Sequence, residues 1–152
     1  MKYEVNERTL AVIPLNEDRC KIVEEDRSYN INSSSFKVIE HSCEYFGVSY
    51  KARVQGSYKL IKSRYKVPII IEEASGMVVF PITSQYKNNN FWLSYSNILE
   101  YYPCNRKKGN TVIRFKNGFK IEIPVSFYSF NNQFLKASRL SSVVSDRMLR
   151  KY

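Results

Sequence analysis

Ser49–Lys66 reads SYKARVQGSYKLIKSRYK, and the reading of this stretch decides what kind of body the rest of the chain must build. It carries Lys51, Arg53, Lys59, Lys62, Arg64 and Lys66 and no acidic residue. At about 100° per residue, Lys51, Gln55, Lys59 and Lys62 fall in one helical stripe, with Tyr50, Val54 and Ile61 beside it. The spacing predicts a helix over these residues with one dry face, packed on a body, and one strongly positive face. Ser49 stands where an N-cap would accept a bond from a first-turn N–H. Gly56 within the helix costs about 1 kcal/mol relative to alanine, so a close approach is expected there, to protein or to phosphate. Such a positive face suits a polyanion better than a small substrate. The plain alternative is a solvated lysine face without function.

On the N-terminal side, Ser33-Ser34-Ser35 offers N-caps for a first helix, with Phe36, Ile39, Cys43 and Phe46 at core spacing. Gly47 falls where a left-handed residue would end it. Two helices about a short glycine-containing joint superficially suggest a helix-turn-helix. Upstream, residues 3–13 read as two short extended runs, with Val5, Leu10, Val12 and Ile13 facing inward and Pro14 opening a loop. Residues 20–25 and 28–31 read as a strand pair around Asp26-Arg27, and Glu24-Glu25-Asp26 as an exposed turn.

On the C-terminal side, VPIII (67–71) begins a second sheet region that turns through Glu72–Gly76 into MVVFPIT (77–83). Pro81 places the end of that strand at an edge or a bend. A polar loop (85–90) leads to a strand, or strand and turn, over 91–101, then to a basic loop CNRKKGN (104–110). TVIRFKNGFKIEIPV (111–125) alternates about Asn117-Gly118, the pattern of a hairpin with a type I′ turn. Beyond Pro124, Ser126 or Ser129 caps a last helix whose apolar face holds Phe130, Phe134, Ala137 or Ser138, Val144 and Met148. The expected fold is α+β: a single domain, residues 1–152, of short, mostly antiparallel strands with two or three helices.

The charge is divided unevenly. Residues 1–48 hold 6 Lys+Arg and 9 Asp+Glu, a net of −3, and residues 49–152 hold 18 and 5, a net of +13, giving +10 overall. Mixed charge would serve solubility as well, so nucleic acid or an anionic membrane surface is the expected partner. A membrane is the weaker candidate, because the lysines have Tyr and Val beside them rather than a broad apolar wedge. No apolar run approaches the roughly 20 residues needed to span a bilayer, and MKYEVNERTL lacks a signal-peptide core. A cytoplasmic, nucleoid-associated protein is expected. Cys20, Cys43 and Cys104 form no CxxC pair and read as reduced thiols.

The sequence contains no GxSxG, HExxH, P-loop or GxGxxG pattern. His41 stands alone between Glu40 and Glu44, and adjacent Glu72 and Glu73 would point to opposite faces of a strand. The chain is expected to be no enzyme and to need no cofactor and no metal. Two nucleic-acid readings remain. Duplex DNA suits the basic helix and hairpin, with phosphate contacts supplying affinity and a steep salt dependence. A single-strand module without sequence preference would instead stack bases on Tyr86, Phe91, Trp92, Tyr95, Tyr101 and Tyr102 near Lys87, Arg106 and Lys107.

In order along the chain stand YEV (3–5), AVIP (11–14), SCEYFGVSYKARVQGSYKL (42–60), VPIII (67–71), FPITS (80–84), FWLS (91–94) and NGFKIEIPVSFYSFNNQ (117–133). Within them Cys43, Tyr45, Phe46, Gly47, Ser49, Tyr50, Arg53, Gly56 and Tyr58 form one recurrent pattern. Asn117, Gly118, Pro124, Ser126, Ser129, Phe130, Asn132 and Gln133 form another. In this order, over some 130 residues, the chain resembles the bacterial competence transcription factor family, ComK. The resemblance implies a DNA-binding activator of genes for DNA uptake and recombination. It would recognise paired A-rich and T-rich boxes through the minor groove as a homodimer or dimer of dimers, with RNA polymerase and an adaptor protease as further candidate contacts. Longer family members continue into a C-terminal tail, so a short member or paralogue without that tail is expected. The residues expected to grip DNA are Lys51, Arg53, Lys59, Lys62, Arg64 and Lys66. Ser49, Tyr50, Thr83 and Ser84 would add short hydrogen bonds, and Arg106, Lys107 and Lys108 a second patch.

Overall fold

Alternation within each strand sorts the apolar residues of the chain into two cores. In β5 (Met77–Ile82), Val78, Phe80 and Ile82 face one side and Val79 the other; in β6 (Phe91–Ser94), Leu93 and Trp92 divide in the same way. The computed structural model describes residues 2–83, 86 and 89–149. These strands belong to a six-stranded antiparallel sheet completed by β1 (Thr9–Pro14), β2 (Cys20–Glu24), β3 (Ser28–Ile31) and β4 (Ile69–Glu72), in the order β3-β2-β1-β6-β5-β4. On one face lie α1 (Ser35–Tyr45) and the start of α2 (Tyr50–Ile61), over Val12, Ile22, Ile69, Ile71 and Trp92. On the other lie α3 (Phe127–Leu149) and a three-stranded sheet of β7 (Ile98–Pro103), β8 (Thr111–Phe115) and β9 (Lys120–Ile123). Phe130, Ala137 and Leu140 of α3 fill that second core with Phe80, Ile113 and Phe115. With both faces covered, the central strands carry apolar residues on both sides.

The α+β expectation holds, with three helices and nine mostly antiparallel strands in two sheets among the described residues. Ser34 caps α1 and Ser49 caps α2, each hydroxyl accepting from the backbone N–H three residues on. Gly47 ends the first helix with φ +86°. Several local expectations are corrected. Residues 3–7 pair with no strand; Val5 N–H donates instead to Ser42 Oγ on α1 at 2.9 Å. Pro14 closes β1 rather than opening a loop. Pro81, by contrast, stands as expected at an edge: it pairs with Trp92 of β6 but lies beyond the last β4 partner at Val79, so its missing N–H meets no strand on that side. The hairpin turn is not type I′, because Asn117 keeps a negative φ. Gly118 at φ +92° follows a turn closed by Gly118 N–H to Phe115 O (2.9 Å) and Phe115 N–H to Phe119 O (2.8 Å), a three-residue loop with a glycine bulge.

Glu24 departs furthest from its expected place in an exposed turn. The residue is 6% exposed, and its carboxylate accepts from Tyr3 Oη at 2.6 Å and pairs with Arg27 Nε at 2.7 Å. Burial pushes its carboxyl up, but the bonds from Tyr3 and Arg27 outweigh burial and hold the pKa below the ordinary 4.5. A depressed carboxyl pKa contributes stability above the unfolded value that is lost as pH falls through the folded one. Tyr3→Phe should lower neutral-pH stability by about 1–2 kcal/mol. It should also reduce the loss of stability on acidification, as read by denaturant melts on either side of pH 4.5.

Phe130 is fully buried, its ring centroid 4.7 Å from that of Tyr101 and 5.8 Å from that of Phe80. Phe130→Ala should cost about 3–5 kcal/mol, measured by equilibrium unfolding.

Candidate nucleic-acid interface

Helix α2 ends one residue earlier than its basic pattern. Lys62 takes a left-handed conformation (φ 59°), its N–H bonded to Tyr58 O at 2.7 Å, and Lys66 is also left-handed at φ 47°. Arg64 and Lys66 therefore leave the helix and stand on a tight turn. Lys51, Gln55 and Lys59 remain exposed along α2. Tyr58 binds the turn back onto the helix: the Arg64 guanidinium donates to its hydroxyl at 2.5 Å and lies 4.4 Å above its ring, and Lys62 Nζ lies 5.6 Å from the same ring. The hydrogen bond from Arg64, and then its charge, hold the Tyr58 hydroxyl below its ordinary pKa.

Three depressions meet on this turn. One, of about 470 Å³, runs along Gln55, Tyr58, Lys59 and Arg64. A second, of about 510 Å³, has Arg64, Lys66 and Thr83 with Phe36, Tyr50 and Trp92. The third, of about 530 Å³, passes from Tyr65 and Lys66 onto α3 at Ser129, Asn132, Lys136 and Arg139. Among the described residues, no acidic side chain lines any of the three. The result is one positive surface crossing from α2 to α3.

Helix α3 fixes the turn. Gln133, 7% exposed, donates from Nε2 to Lys66 O at 2.8 Å and to Pro81 O at 2.9 Å, tying turn and sheet to the helix. Lys136 Nζ donates to Tyr65 O at 2.9 Å. Burial, and then the neighbouring Lys66 charge, lower the Lys136 pKa.

Not every anticipated residue joins this surface. Arg53 turns inward: it is 7% exposed, pairs with Glu73 Oε1 at 3.0 Å and donates to Ile71 O at 3.3 Å. The Ser49 hydroxyl is occupied as the α2 cap, accepting from Ala52 N–H at 3.1 Å. Tyr50 packs edge-on to Phe36 (5.1 Å) and Trp92 (6.3 Å), in the floor of a cleft. The Thr83 hydroxyl bonds Lys66 Nζ. Ser84 lies outside the described residues. Arg106, Lys107 and Lys108 are exposed on the β7–β8 loop but line none of the three depressions, and Arg106 is paired with Glu122 at 2.7 Å.

The aromatic residues do not form an exposed row. Trp92 is 2% exposed, Tyr95 and Tyr101 pack on Phe134 and Phe130, and Lys87 lies outside the described residues. His41 Nε2 sits 2.8 Å from Glu4. Burial raises the thiol pKa of Cys20 to about 12 and that of Cys43 to about 11. Among the described residues no cluster of His, Cys, Asp or Glu could hold a metal, and no helix is long and apolar enough to cross a membrane.

Sequence reasoning missed Lys136 and Arg139. A signal was present, since residues 123–145 contain no acidic residue and these two cations stand three apart, close to one helical turn, within that run.

The family model described as ComK protein matches residues 1–149. The competence transcription factor of Bacillus subtilis (strain 168) is 32% identical over 149 residues, covering 96% of this chain and 77% of that protein. This chain belongs to the ComK family. No solved structure matches it.

The residues that carry the ComK resemblance are chiefly architectural. Cys43 is buried, Gly47 and Gly118 take positive φ, Ser49 caps, Arg53 turns inward and Gln133 ties the basic turn to the sheet. Gln133→Leu would leave the Lys66 and Pro81 carbonyls without their side-chain donor, at about 1–3 kcal/mol. It should also free the turn: denaturant unfolding should show the loss, and amide exchange should speed up across residues 62–66.

Proposed function

We propose that this chain is a DNA-binding transcriptional regulator of competence genes that grips duplex DNA with the acid-free surface spanning α2, the 62–66 turn and α3. The observation that supports this best is the convergence of Lys59, Lys62, Arg64, Lys66, Lys136 and Arg139 around depressions without a carboxylate. Lys51 extends the stripe along α2. Arg53 acts by positioning α2. Thr83 orients Lys66, and Ser49 holds the first turn. Arg106, Lys107 and Lys108 form a separate, weaker patch, one cation of which is already paired.

The finer reading is an activator that recognises paired A-rich and T-rich boxes through the minor groove, as a dimer or dimer of dimers. Electrostatics favours it. A narrow A·T minor groove concentrates negative potential, and its degenerate edge pattern asks for cations more than for base-specific donors. The relative's name, a competence transcription factor, supports the same direction. The burial of Trp92, and the packing of Tyr95 and Tyr101 on α3, disfavour a single-strand stacking module.

A salt-titrated gel shift tests this with three probes of equal length: an A-rich and a T-rich box in phase, the same bases scrambled, and a single strand. The boxed duplex should bind most tightly and keep its preference as salt rises. Lys59→Ala with Lys62→Ala, and separately Lys136→Gln with Arg139→Gln, should each weaken binding to all duplexes and flatten the log–log salt slope by about 1–2. Lys107→Ala with Lys108→Ala should have the smaller effect. Unchanged affinity and slope in both former pairs would show a solvated face only.

A further inference from the structure

The acid-free surface carries one group for which phosphate contact has no use. Tyr65, on the turn between the left-handed Lys62 and Lys66, is 72% exposed. Among the described residues it is the one exposed aromatic that lines any of the three basic depressions. It lines two of them, and so stands where they meet. An exposed aromatic by itself needs no explanation. What sets Tyr65 apart is how it is held and what surrounds it.

The backbone beneath the ring is pinned. Tyr65 O accepts from Lys136 Nζ at 2.9 Å and from Ser63 Oγ at 3.4 Å, and the next carbonyl, Lys66 O, accepts from Gln133 at 2.8 Å. No other aromatic ring of the described residues packs on Tyr65, and Lys66 Nζ lies 5.2 Å from its centroid. Arg64 and Lys66 adjoin the ring in the chain, while Lys136 and Arg139 face it across the third depression. A tyrosine ring on a fixed backbone has only two side-chain torsions to lose on contact. The ring is therefore presented, rigid and uncovered, between two sets of cations.

Stacked bases offer no face to such a ring unless a step opens. Proteins in the minor groove part base steps with apolar side chains, and pyrimidine–purine steps such as TA unstack readily. Cations on either side of the ring would hold the flanking phosphates while the step opens. One aromatic cannot stack a run of bases as a single-strand platform does, but one suffices for one step. The minor-groove edges of A·T and T·A present the same acceptors, so cations and edge contacts alone cannot tell an A-run followed by a T-run from the reverse order. The step between the runs differs, and its deformability can be read.

We infer that Tyr65 is a specificity-determining residue of the DNA surface, its ring entering a TA step from the minor groove and partly unstacking it. The inference rests on the duplex reading above and adds to it a preference for one base step.

Two duplexes of equal length and composition test it, each joining an A-run and a T-run at a central step that is TA in one and AT in the other. In anisotropy titrations the full chain should bind the TA duplex at least about fivefold more tightly. Tyr65→Ala should bind both duplexes alike, with the log–log salt slope unchanged because no phosphate contact is lost. The turn survives that change, since its anchors are backbone carbonyls and Lys66 keeps its bond to Thr83. Tyr65→Phe should keep the preference. Tyr128→Ala, at a residue 75% exposed but outside the three depressions, should change nothing. Energy transfer across an end-labelled TA duplex should report a shortened end-to-end distance with the wild-type chain and not with Tyr65→Ala. A TA preference that persists in Tyr65→Ala, an affinity loss equal on both duplexes, or equal binding of the two by the wild-type chain would overturn the wedge and leave the duplex reading standing. No saturable binding of either duplex by the wild-type chain would remove the duplex reading and this inference with it.

Discussion

The outer edge of β4 is the constraint on which the rest depends. A terminal strand of an antiparallel sheet presents unpaired backbone groups that must be covered or made unattractive. Here α2 covers them, and the contact is chemical as well as steric, because the Arg53 guanidinium donates to the carbonyl of Ile71. Tyr50 and Val54, near the start of α2, join the core beneath α1, whereas Leu60 and Ile61 at its end join the core beneath α3. The helix thus passes around the sheet edge, from one covered face to the other. Its last residue emerges against α3, which is why a turn at residue 62 meets side chains at 133, 136 and 139.

That crossing gathers positive charge in a way the separate elements would not. Two lysines adopt left-handed backbone angles, each a local cost of about 1–3 kcal/mol outside glycine. The turn is held in spite of this by Gln133 and Lys136 from α3 and by the Tyr58 ring from α2. Lys66 and Lys136 are close enough for the charge of one to lower the pKa of the other, and no carboxylate lies between them in the surrounding depression. Folding has therefore assembled a repulsive arrangement that a bound polyanion would relieve. A surface that served only solubility would gain from interspersed acids, and this one excludes them.

Much of the architecture is legible in the sequence because it is local. Ser34 and Ser49 lie just ahead of helical spacing, Gly47 sits at a helix end, and Asn117-Gly118 divides two alternating runs, so helices and hairpin can be placed. What cannot be read depends on contacts between distant segments. Glu24 has the setting of an acidic turn, and its burial is made tolerable by Arg27 nearby together with Tyr3, brought in from 21 residues away. Residues 3–7 have an extended pattern but find α1 before they find a strand partner. Asn-Gly is by itself a type I′ signal, whereas a lysine ahead of it lengthens this loop and leaves only Gly118 at positive φ. For the site, the stripe on α2 is visible, but its continuation through Lys136 and Arg139 is not, since those residues reach Lys66 only through the tertiary fold.

Arg53 belongs with the cationic stripe by charge but not by angle. At about 100° per residue it lies roughly 200° from Lys51, on the far side of the helix. By angle, α2 divides into three arcs. Lys51, Gln55, Tyr58, Lys59 and Lys62 face outward, Tyr50, Val54 and Ile61 face the cores, and Ala52, Gly56, Leu60, Arg53 and Ser57 line the groove that α2 shares with β4 and α3. The core arc anchors the helix, which leaves the two remaining arcs rigidly related through it. A displacement of α2 relative to α3 would move Lys59 and Tyr58, and with them the turn that Tyr58 holds.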